Sequence, residues 1–189
     1  MAMTLATKNN SGTNAKIFTL WLFLGTVIMI FASLTSAYTV RRAEGSWLQY
    51  SLPNEFLYSI FIAVLGSIAV QFTYFMRKKE NRVATQVGII LTAAMGVAFL
   101  ASQFLGWNSM VEDKFFFVGN PSVSFVYVIS FVHAIHILAT VVVTMVGLMK
   151  STKDNFYTQN SILMLSITTL WHFLGGLWIY LYLFLSYNR

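Results

Sequence analysis

The chain contains no cysteine. That absence excludes disulfide frameworks, thiolate metal centres and iron–sulfur clusters together, and it leaves the redox compartment unmarked. Charge is scarce as well: 10% of the 189 residues are Asp, Glu, Lys or Arg, against about 25% in an ordinary soluble domain. The only two prolines, Pro53 and Pro121, each stand just before an apolar run, where a helix start tolerates the missing N–H. No phosphate-binding loop, nucleophile elbow or metalloprotease helix is present. There is no low-complexity segment, and no internal repeat of the inverted-transporter kind.

What the chain has in abundance is long apolar sequence, with 57% of its residues hydrophobic. Crossing the hydrocarbon core takes roughly 20 consecutive apolar residues in a helix. Five runs meet that requirement: Ile17–Val40, Phe56–Met76, Val83–Leu105, Val123–Met149 and Ser161–Tyr187. None contains Asp, Glu, Lys or Arg. Their lengths exclude membrane strands of ~9–11 residues, and irregular backbone cannot face lipid, so each run is predicted to be helical. The expected fold is therefore all-α: a polar N-terminal tail over 1–16, then one polytopic domain over 17–189, a bundle of five transmembrane helices. The first run is too long for a signal-peptide core and no A-x-A-like cleavage site follows it, so it is expected to remain as a span.

The formal net charge of +6 sits in short clusters between the runs rather than along a face. That favours membrane-surface contact over nucleic acid. With five spans, one side carries Lys8, Lys16, Arg77, Lys78, Lys79, Arg82, Lys150 and Lys153, and the other carries Arg41, Arg42, Lys114 and Arg189. The positive-inside bias predicts a cytoplasmic N-terminus and a periplasmic C-terminus. Trp47 and Trp107 fall near span ends, as an interfacial aromatic belt requires. Small residues recur at helical spacing in the first three spans: Gly25, Ser33 and Ala37; Ser59, Ala63 and Ser67; Gly88, Thr92 and Gly96. Such stripes are expected to let helices pack closely inside the bundle, with docking onto another membrane subunit as the other use.

His133, His136 and His172 are the only ionisable groups within the spans. His133 and His136, three apart, share a face of the fourth helix. The expectation for all three is a neutral imidazole bonded to a neighbouring helix, with Ser130, Thr140, Ser166 and Thr169 as available partners. The alternative is haem ligation by His136 and His172, which would make the chain a small membrane cytochrome of quinone electron transfer. Copper or zinc held by all three lacks a carboxylate to orient the rings. A transporter or proton pump normally carries Asp or Glu within its spans, and this chain has none. By itself it shows no catalytic constellation and reads as a scaffold or accessory subunit.

Three segments resemble a known family. Phe23-Leu-Gly-Thr-Val-Ile-Met-Ile-Phe31, running on to Ala37-Tyr-Thr-Val-Arg-Arg42, is similar to the opening helix of short, five-helix haem-copper oxidase subunit III. Ser130-Phe-Val-His-Ala-Ile-His-Ile-Leu138 resembles that family's His-x-x-His helix, and Trp171-His-Phe-Leu-Gly-Gly-Leu-Trp178 its closing Trp-His-Phe segment. Gln103 and Trp107 also sit where the family has Gln and an aromatic. The resemblance runs from about Phe18 to Leu185 with the helix order unbroken. It departs from the pattern twice: Val27 stands where the family often has Glu, and Gly175 where it often has Asp. Roles assigned to those carboxylates do not carry over. In the seven-helix form this chain corresponds to the last five helices, without two that wall a lipid cleft.

The resemblance implies a non-redox accessory subunit of a respiratory oxidase that reduces dioxygen to water, in the bacterial cytoplasmic (inner) membrane. It implies no cofactor in this chain, with haem and copper in partner subunits I and II. It further implies packing on subunit I, contacts with subunit II and possible further respiratory subunits, bound phospholipid, and support for proton uptake and for stability during turnover. Arg41, Arg42 and Trp47 are candidate phospholipid contacts on their chemistry alone.

Overall fold

The structure is a computed structural model. Backbone is described for residues 2–45, 47–151 and 161–188, and side chains for the same residues apart from 2–13 and 161. The loop charges Lys153 and Asp154, the terminal Arg189 and the side chain of Lys8 lie outside these described residues.

Among the described residues five helices follow one another: α1 (Ala2–Ala43), α2 (Asn54–Lys78), α3 (Arg82–Glu112), α4 (Pro121–Ser151) and α5 (Ser161–Asn188). All five are long and apolar enough to cross a membrane, and no strand occurs among the described residues. The chain is a multi-pass membrane protein. Helices α1 to α4 overrun the apolar stretches at both ends, because helical backbone satisfies its own polar groups and continues into the interface. In α1 the helix runs back to Ala2, well before the apolar run that begins at Ile17.

The α2–α3 hairpin is closed by local chemistry. Glu80 takes a positive φ of 55°, and the next two N–H groups bond backwards, Glu80 to the Arg77 carbonyl and Asn81 to the Met76 carbonyl. This is a Schellman cap, which satisfies the last carbonyls of α2. Asn81 then serves as the N-cap of α3, its Oδ1 accepting from Ala84 N–H at 3.1 Å. Lys114 (φ 65°) repeats the Schellman geometry after α3, with Phe115 N–H on the Met110 carbonyl at 2.8 Å. Pro121 opens α4, and Asn120 Oδ1 accepts from Ser122 N–H at 3.0 Å.

Helices α2, α3, α4 and α5 form a closed ring, each packed on its two neighbours, and α1 lies outside it against α4 and α5. Of the apolar core of α1 only 17% is buried within the chain, against 33% to 44% for the other four. The ring is tight because α3 is lined with glycine. A Cβ at Gly88 would stand 2.3 Å from Thr73 Oγ1, one at Gly96 2.4 Å from Val141 Cγ2, and one at Gly106 2.9 Å from the Phe56 ring. Dispersion across such close surfaces holds membrane helices together, since lipid tails are as apolar as the side chains. The α3 stripe is therefore internal packing. Gly25 in α1 differs: nothing of the chain lies within 4 Å of where its Cβ would stand.

Candidate functional site

The polar interior of the ring is organised by indoles and hydroxyls. Three tryptophans each donate Nε1–H across a helix boundary: Trp178 of α5 to Ser59 of α2 at 2.7 Å, Trp107 of α3 to Ser130 of α4 at 2.9 Å, and Trp171 of α5 to Thr144 of α4 at 3.1 Å. Each acceptor hydroxyl donates its own proton to a carbonyl in its own helix, Ser59 to Phe56, Ser130 to Val126 and Thr144 to Thr140. A hydroxyl so engaged has lone pairs left for an incoming N–H, and all three groups are satisfied without water.

The histidines do not use these hydroxyls, which corrects the partners expected for them. His133 is fully buried, stacked on Trp178 (centroids 5.0 Å apart, planes at 25°) and edge-on to Phe31 and Phe99 at 5.9 and 5.7 Å. Neither of its ring nitrogens has a hydrogen-bond partner. His136 turns toward α1, against Phe31 and Phe23, and its Nδ1 lies 2.7 Å from the Val132 carbonyl of its own helix. Thr140 is occupied by the His136 carbonyl at 3.0 Å. His172 faces the opposite way, outward between α5 and α2, with Nε2 3.0 Å from Gln71 Oε1.

His136 and His172 therefore point to different sides of the bundle, toward α1 and toward α2, and cannot clasp one porphyrin from its two faces. Among the described residues no group of three His, Cys, Asp or Glu is placed to hold a metal ion. Gln103, one turn from both Phe99 and Trp107 on α3, is fully buried, and neither its amide nitrogen nor its oxygen has a partner. Val27 is 1% exposed and lies one turn from both Phe23 and Phe31 on the face of α1 that meets the α4 histidines. The face where the family often carries a carboxylate is thus apolar here. Gly175 is buried too, and a Cβ there would meet Ser67 Oγ at 3.2 Å.

Of the three candidate interfacial contacts, Arg41 is exposed, ion-paired with Glu44, and lines a groove of about 790 Å³ with Ser33, Ser36, Ser124 and Phe125. Arg42 donates instead to Asn188 Oδ1 at 2.9 Å, tying the end of α1 to that of α5. Trp47 packs edge-on to Tyr38, 4.7 Å between centroids, with its indole nitrogen buried and unpartnered. Two contributors were missed by the sequence reading. Gln71 is an uncharged polar residue inside a span and was visible by inspection. The roles of Trp107, Trp171 and Trp178 as donors depend on which hydroxyl stands opposite on another helix, which the pattern of a single span does not carry.

The fold and this interior define a multi-pass α-helical membrane protein whose described polar groups brace one helix against the next. No family model matches the chain. It is 25% identical over 85% of its length, and 82% of the relative's, to cytochrome c oxidase subunit 3 of Corynebacterium diphtheriae. It is 23% identical to the cytochrome bo(3) ubiquinol oxidase subunit 3 of Buchnera aphidicola, covering 93% of this chain and 95% of that one. A heme-copper oxidase subunit I+III of Aeropyrum pernix is 24% identical over 72% of this chain, which spans 18% of that longer protein. These relatives cover most of the chain at low identity. They are consistent with subunit III and support a haem-copper oxidase accessory subunit.

Proposed function

We propose that this chain is the non-redox subunit III of a respiratory haem-copper oxidase in a bacterial cytoplasmic membrane, packing on subunit I with subunit II in the same complex. The observation that carries the reading is similarity along most of the length of proteins named oxidase subunit 3. The subunit I+III protein, in which both names belong to one chain, supports subunit I as the main neighbour. The spans hold no carboxylate, so the chain has no acidic proton route of its own. Its contribution to proton uptake is then indirect: its basic loops shape the field at the cytoplasmic entrance of its partner, and its packing keeps the partner intact through turnover.

Phospholipid is seated in the groove beside Arg41 on this reading. Apolar walls from α1 and α4 suit an acyl chain, while the guanidinium and Ser33, Ser36 and Ser124 suit a phosphodiester. The exposed Arg41–Glu44 pair is weak enough to open for it.

The test is oxygen consumption over successive turnovers, with and without the chain, at equal haem content. Initial activity should survive removal of the chain, proton uptake should slow, and activity should decay with turnover. Complete loss of the initial rate, with haem and copper retained, would place this chain in the chemistry and end the accessory reading.

A further inference from the structure

The outer surface between α2 and α5 carries a groove of about 510 Å³, well inside both spans, with Ala63, Ser67, Gly175 and Gly176 along it and His172 and Gln71 at one end. Its rim is apolar, Ile68 being 61% exposed. The His172–Gln71 pair is the anomaly. One ring nitrogen and one half of the carboxamide bond each other at 3.0 Å. Whichever tautomer and amide orientation hold, a donor and an acceptor remain unused at His172 Nδ1 and the far side of Gln71. Hydrocarbon offers neither, and an unmet polar group there costs several kcal/mol. A lipid acyl chain would fit the shape and leave both groups unmet. A helix carrying a hydroxyl or carboxamide supplies donor and acceptor together, and Gly176, with nothing within 4 Å of its Cβ position, leaves room for its backbone to come close.

We propose that this groove seats a transmembrane helix of the oxidase's large catalytic membrane subunit, and that His172 and Gln71 hydrogen-bond a Ser, Thr, Asn or Gln side chain on it. This rests on the accessory-subunit reading above and adds which face docks and through which atoms. Hydrogen-bonding complementarity decides the occupant.

The absence of cysteine and the open site at Gly176 make the test direct in the assembled oxidase. A photoreactive benzoylphenylalanine replacing Ile68, on the groove, should crosslink to the large subunit. The same group replacing Ile90, 52% exposed on α3, should not. Gly176→Leu projects into the groove from a position whose Cβ meets nothing within 4 Å, so the chain should accumulate normally while co-purified oxidase falls at least tenfold. Gln71→Leu should weaken the association about 3- to 20-fold, the range of single interhelical hydrogen bonds in membranes. Crosslinks from position 68 to a second copy of this chain, or to lipid alone while oxidase co-purifies, would overturn the docking face and leave the accessory function standing. Purification with no oxidase subunit at all would overturn both.

Discussion

Trp178 and Ser59 lie 119 residues apart in the chain, yet the indole Nε1 reaches the hydroxyl at 2.7 Å, the shortest of the three tryptophan bonds between helices. Both residues are almost fully buried. The bond closes the ring at the α2–α5 boundary. The same indole is packed edge-on by Phe99 and Phe56 and stacked by His133. A helix pair, an aromatic cluster and a buried histidine therefore depend on one side chain.

Ser59→Ala should destabilise the bundle by about 0.6–1.7 kcal/mol, the span found for interhelical hydrogen bonds in membranes. Trp178→Phe removes the same bond from the other side. A double-mutant cycle in detergent-mediated unfolding should show the two losses to be non-additive. Simple additivity would mean that the bond contributes nothing.

The two open and closed glycines should behave oppositely. Gly96→Leu drives side-chain atoms into Val141 and Trp171 and should cost about 1–3 kcal/mol or prevent folding. Gly25→Ala adds a Cβ that meets nothing within 4 Å and should leave the stability of the isolated protein within ~0.5 kcal/mol of its starting value.

His133→Leu tests whether the buried imidazole is needed for its polarity. Its nitrogens have no partners, so an apolar side chain of similar volume strands nothing and should cost less than ~1.5 kcal/mol. A loss of several kcal/mol would reveal a hydrogen bond to that ring in the membrane.

The chain purified alone should show no Soret band and no stoichiometric copper. A haem absorbance abolished by replacing either His136 or His172 would require the two rings to face one another, contrary to their positions against α1 and α2.

Topology follows from charge. A reporter fused at the C-terminus should be periplasmic, and one inserted in the Lys79–Asn81 turn cytoplasmic, because eight basic residues stand on one side and four on the other. The reverse pattern would invert the protein and with it the proposed effect on proton entry.

By itself the sequence determined the five membrane-spanning helices and their order, but not that α1 runs back to Ala2 or that α3 runs on to Glu112. Apolar run length against bilayer thickness admits no other secondary structure, and that constraint is local to each run. It also marked small-residue stripes in the first three spans, but only the structure showed that the α3 stripe packs inside the ring while Gly25 of α1 stands open. The destinations of the polar groups were decided only by the tertiary structure. His133 and His136 share a helix face and both meet Phe31 of α1, but His133 is drawn into the aromatic core on Trp178 and Phe99 while His136 reaches on to Phe23, because α1 packs outside the ring at the α4–α5 edge. Ser130 was a fitting partner for histidine and bonds Trp107 instead. His172 lies beside buried Trp171 in sequence and yet faces outward to Gln71, since neighbouring residues on a helix point about 100° apart. Which helix stands opposite is a long-range fact, and in a membrane, where every span is apolar all round, the pattern of a single helix does not encode it.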